Sequence, residues 1–149
     1  MKKKSLRTGV ALLFGAAILI GTVSCKKYNK YDDKEVLEDS YPGTIELEGN
    51  KEARGDFEGS GDTGTFSFVW ENTSEKATVN FDVSTTEGGS CQIILNDAKG
   101  NEVFNKTRPQ DGNDTFSGIS EEGKKGNWLV TINLTDFNGD GTYDITSKD

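Results

Sequence analysis

The stretch Asp136-Phe137-Asn138-Gly139-Asp140-Gly141-Thr142-Tyr143-Asp144 sets side-chain oxygens at alternate positions around a glycine pair. That is the spacing with which a loop wraps a calcium ion. Asp136, Asn138, Asp140 and Asp144 are the candidate ligands, since a hard cation takes oxygen donors and the glycine permits the sharp turn. Where the twelfth position of such a loop calls for a bidentate Glu, this chain has Ser147. A second reading of the same residues is a β-hairpin joining Trp128–Phe137 to Thr142–Thr146. Asn138-Gly139 and Asp140-Gly141 would then supply the positive φ values of a tight turn. The sequence favours the hairpin, and weak Ca2+ binding at its tip is compatible with both readings.

The remaining catalytic repertoire is narrow. Histidine is absent, which removes Ser-His-Asp and Cys-His catalysis and His-ligated zinc. Two carboxylates can still cleave a glycoside. Among 25 acids, however, some pair will be close whatever the function, so no catalytic residue is assigned. Cys91 alternates with Ile93 and Leu95, which reads as a small core residue rather than a reactive thiol. Arg54-Gly55-Asp56 spells the integrin tripeptide, a match short enough to arise by chance. Phe66, Phe68, Trp70, Phe81 and Trp128 offer rings for sugar stacking, but their spacing puts them on inward faces.

The elements that must position these groups are strands. Period-two alternation is clearest in Phe66–Trp70, Val79–Val83 and Trp128–Leu134. Weaker candidates are Thr44–Glu48, Arg54–Glu58, Cys91–Leu95, Glu102–Lys106, Thr115–Ile119 and Thr142–Thr146. Turn residues separate them, among them Gly59-Ser60-Gly61-Asp62, Asp97–Asn101 and Asn138–Gly141. No stretch keeps a helical apolar face after the first 25 residues. The expected fold class is all-β, an antiparallel, jelly-roll-like β-sandwich over residues 42–149.

The segment from Gly64 to Ile145 resembles the jelly-roll accessory domains of secreted bacterial proteins, of the pre-peptidase C-terminal and P-domain kind. The pieces that carry the resemblance are Thr65–Trp70, Val79–Val83, Ile93–Asp97 with Gly100, Gly126–Val130 and Gly139–Tyr143. It implies a non-catalytic companion domain.

Ahead of the body lies an export signal. Lys2, Lys3, Lys4 and Arg7 precede Val10–Val23, a charge-free stretch too short for the roughly 20 residues that span a bilayer. Thr22-Val23-Ser24-Cys25 resembles the lipobox of bacterial lipoproteins. The resemblance implies that residues 1–24 are cleaved and that Cys25 carries diacylglycerol, with the new amine acylated, palmitate being a typical chain. The same bond also suits an ordinary signal peptidase, which wants small residues such as Ser24 and Thr22. Two or three acyl chains hold a protein at a membrane where one does not. Lys26, where the family's inner-membrane retention signal has Asp, implies the outer membrane. Residues 25–41 then form the lipidated cysteine and a charged tether.

Four of the 17 cations precede Cys25, while all 25 acids follow it, so 13 cations meet 25 acids and the mature part carries −12. A body this anionic repels phosphate backbones, which excludes nucleic acid as a partner. The leading expectation is a lipid-anchored, non-catalytic envelope protein with a structural or interaction role. The alternatives are a surface module binding glycan or calcium, and an envelope hydrolase using two carboxylates. A protein or glycan partner is compatible with the first two.

Overall fold

The computed structural model describes residues 42–48, 51–85, 88–108 and 112–149. The leader, Cys25 and the tether lie outside these residues. Alternating apolar and polar side chains give every described regular element as a strand: β1 Gly43–Glu48, β2 Glu52–Asn72, β3 Lys76–Thr85, β4 Ser90–Asn96, β5 Glu102–Arg108, β6 Gly112–Ile119 and β7 Gly126–Lys148. All pairings are antiparallel.

Strands β2 and β7 are 21 and 23 residues long. At about 3.3 Å per residue a straight strand of that length would run about 70 Å. A domain of about 100 residues has a radius of gyration of about 13 Å, so both strands must fold over, and they do so at a shared corner. β2 slips register on β7 between Ser60 and Asp62 and again between Asp62 and Gly64. Such bulges bend a strand and increase its twist. Gly61 takes φ +87° and Asp136 takes φ +46° at the same corner.

The corner makes two sheets from one pair of strands. Sheet one has the order β1-β2-β7-β3-β6 and uses the first half of β2 and the second half of β7. Sheet two pairs the second half of β2 with the first half of β7, then β4, then β5. Phe68 of sheet two stacks on Tyr143 of sheet one at 5.7 Å, and Phe104 of β5 on Phe116 of β6 at 6.4 Å. The rings of Phe57, Phe81, Phe137, Trp70 and Trp128 fill the layer between the sheets. The molecule is therefore the antiparallel, jelly-roll-like β-sandwich that the alternation implies, and all nine expected strand segments are present.

Two joins differ from expectation. The hairpin at Asn138–Gly141 does not form: Gly139 pairs with Gly59 on one side and with Thr85 on the other, so the strand continues through. Neither Gly139 nor Gly141 takes a positive φ. Their missing side chains serve close approach instead, since a Cβ on Gly139 would lie 2.0 Å from the Ser84 carbonyl oxygen. Gly59–Asp62, expected as a turn, is the bulged bend inside β2. In both places glycine chemistry suited a reversal, while pairing on both edges kept the chain extended.

Candidate functional site

The outer faces of the two sheets differ in character. Sheet one turns outward Glu46, Asp56, Glu58, Asp82, Asp140 and Asp144, with Arg54 among them. Arg54 lies 3.5 Å from Glu46 and 3.8 Å from Glu52. Glu58 stands directly opposite Asp140 in the register. Asp56 accepts hydrogen bonds from the Thr44 backbone N–H at 2.7 Å and the Thr44 hydroxyl at 2.9 Å. Asp56, Glu58 and Asp140 border a shallow depression of about 710 Å³, with Gly43, Thr44 and Thr142 beside them.

The outward positions on sheet two are uncharged across its centre. β7 presents Asn127, Leu129, Thr131 and Asn133, β4 presents Ser90, Gln92, Ile94 and Asn96, and β2 presents Thr65, Ser67 and Val69. Charge enters only at the margins, at Glu71 and Glu102. Three amides form a ladder across three strands. Asn133 Nδ2 donates to Gln92 Oε1 at 2.8 Å, and Gln92 Nε2 donates to Asn105 Oδ1 at 2.9 Å. The Ser67 and Thr131 hydroxyls share a hydrogen bond of 3.0 Å beside it. Val69 and Leu129 face one another across β2 and β7, and Ile94 sits opposite Thr131 on one side and Asn105 on the other. The result is a half-buried aliphatic strip bordered by fixed amides.

A loop clamp holds β5 in place for that ladder. Asp97 is buried at the end of β4. Its Oδ1 accepts from the backbone N–H groups of Lys99 (2.9 Å) and Asn101 (2.8 Å). Its Oδ2 accepts from Asn101 Nδ2 (3.1 Å) and the Lys124 N–H (2.9 Å). Burial pushes the carboxyl upward, but the N–H of Lys124, both donors of Asn101 and the N–H of Lys99 outweigh it and hold the group below its ordinary value. Gly100, at φ +87°, permits the tight connection into β5. The Lys124 carbonyl in turn accepts from the Trp128 indole at 2.8 Å, tying the clamp to the core.

The four candidate calcium ligands are not gathered into a loop. Asp136 sits at the corner with its carboxylate on the Thr63 hydroxyl, 3.2 Å away. Asn138, Asp140 and Asp144 lie along β7, and the span from Asn138 to Asp144 is about 20 Å in an extended strand. Among the described residues no group of three or more Asp, Glu or Cys side chains is placed to hold a metal ion.

Arg54-Gly55-Asp56 is mid-strand, between β1 and β7, and forms no loop tip. Phe68, Trp70, Phe81 and Trp128 are buried, and Phe66 packs against the core, so none of these five builds a stacking platform. Cys91 faces the core opposite Arg108, and burial, partly opposed by the Arg108 charge, pushes its thiol up to about 12.

Sequence reasoning missed Gln92, Asn105 and Asn133. The signal was present as polar residues alternating with the core positions of β4 and β7. What joins them is the pairing of β4 with β7, whose partner residues are about 40 positions apart.

No protein-family model matches the chain, and no curated protein matches it. Several solved structures resemble it loosely. The module TmCBM61, in complex with β-1,4-galactotriose, is 14% identical, covering 81% of this chain and 98% of its own, with a TM-score of 0.48. A family 35 carbohydrate-binding module from Clostridium thermocellum is 14% identical, covering 72% and 90%, with a TM-score of 0.45. A module of Cellvibrio mixtus lichenase 5A in complex with cellotriose is 13% identical, covering 82% and 96%, with a TM-score of 0.43. Likeness at this level does not say which surface is used.

Proposed function

We propose that the chain is a lipid-anchored, non-catalytic binding module of the bacterial cell envelope, held through Cys25 in the outer membrane, whose sheet-two face takes an uncharged glycan. The observation that supports this most is the Asn133–Gln92–Asn105 ladder on an uncharged face of an acidic protein. Amides donate and accept at once, as sugar hydroxyls do, and cost less to desolvate than charges. The Val69, Leu129 and Ile94 strip offers apolar contact to the C–H faces of sugar rings. Ladder bonds fix the amide orientations before a ligand arrives, which reduces the ordering cost of binding.

The test is affinity electrophoresis of the mature protein through gels carrying neutral polysaccharides. Retardation by at least one polymer, lost in Gln92→Ala without a change in melting temperature, is the expected result. Unretarded migration through the whole panel would sink the glycan reading. The anchor is tested by labelling cells with an alkynyl palmitate analogue: label must appear on the wild type and vanish in Cys25→Ala.

A further inference from the structure

We infer that the sheet-two face prefers an N-acetylated amino sugar, with the acetamido group seated between Asn105 and Ile94; this rests on the glycan reading above. The amide ladder has a direction. Asn133 donates to Gln92 and Gln92 donates to Asn105, so the ladder ends on the Asn105 carbonyl oxygen. Asn105 is exposed, and with its Oδ1 accepting from Gln92 its side-chain donors are the two Nδ2 hydrogens. A donor end suits a group that only accepts, and an amide carbonyl is a stronger acceptor than a hydroxyl.

Ile94 lies directly opposite Asn105 on the same face. Cross-strand neighbours hold their Cβ atoms about 5 Å apart. An acetamido group matches that pair: its carbonyl oxygen meets Asn105 Nδ2 while its methyl lies on Ile94. A hydroxyl in the same place leaves the methyl contact unmade. Charge narrows the ligand further. The mature chain carries 13 cations against 25 acids, so uronate polymers are repelled as they approach.

Calorimetry of the mature protein with chitohexaose and cellohexaose isolates the group, because the two β-1,4 chains differ only in acetamido against hydroxyl. Chitohexaose is expected to bind at least about tenfold tighter, a ratio within reach of one well-placed hydrogen bond and a buried methyl. Asn105→Asp keeps the acceptor for Gln92 and removes the Nδ2 donors. It should bring the ratio to within about twofold while the melting temperature holds. Equal binding of the two hexaoses by the wild type, or an undiminished preference in Asn105→Asp, overturns the acetamido assignment and leaves the glycan reading standing. If chitohexaose does not bind at all, the assignment also falls, and the neutral-polymer gels decide the broader reading separately.

Discussion

Thr63 and Asp136, 73 residues apart in sequence, hold one another by two hydrogen bonds at the corner where both long strands change sheet. The Thr63 hydroxyl oxygen accepts from the Asp136 backbone N–H at 2.9 Å and donates to Asp136 Oδ1 at 3.2 Å. Asp136 stands at φ +46°, a conformation that costs a non-glycine residue about 1–2 kcal/mol. The two bonds offset that cost. Thr63→Ala removes both and should lower stability by about 1–2 kcal/mol, while Thr63→Ser retains most of it. Urea unfolding reads this as a lower midpoint at unchanged slope. A Thr63→Ala midpoint equal to wild type would mean that strand pairing holds the corner unaided.

Local pattern and long-range pairing were not equally legible in the sequence. Phe66–Trp70 and Trp128–Leu134 showed as strands because burial on one face imposes a period of two. Cys91 read correctly as core for the same reason. The join at Asn138–Gly141 reads as a turn because Asn138-Gly139 and Asp140-Gly141 carry turn chemistry in isolation, and only pairing with β2 on one side and β3 on the other makes the strand run on. The amide ladder stayed hidden because it needs β4 to lie against β7, a pairing no local pattern encodes.

The Asp97 clamp makes an acid-sensitive contribution to stability. Its folded carboxyl lies below the ordinary 3.8, so the folded state favours the charged form. The stabilisation is therefore complete above about pH 4 and is lost as pH falls through the folded value. Asp97→Ala strands three backbone N–H groups and should cost about 2–4 kcal/mol at pH 7. Thermal melts from pH 7 to pH 2 should show the gap between wild type and variant closing at the acid end. A gap that stays constant with pH would show that the carboxylate charge contributes nothing.

Cys91 gives the opposite pH dependence. With its thiol raised from 9.0 to about 12, the folded state favours the neutral form. Its contribution is present in full below about pH 9 and is lost as pH rises toward 12. At neutral pH the buried thiol should be inert, since thiolate is the reactive form. Ellman's reagent at pH 8 is expected to modify Cys91 only after denaturant is added. Modification of the native protein within minutes would contradict the buried placement.

Glu58 and Asp140 face each other directly across β2 and β7, an arrangement that works against folding. Like charges in opposed cross-strand positions cost about 0.2–1 kcal/mol, and salt reduces the cost because both side chains are exposed. Asp140→Asn should therefore stabilise the domain at low ionic strength, with a gain that shrinks as NaCl is raised toward 0.5 M. Melting curves at two salt concentrations separate this from a packing effect, which would not respond to salt. A destabilised Asp140→Asn would contradict the repulsion and mean that the carboxylate makes a net stabilising contact.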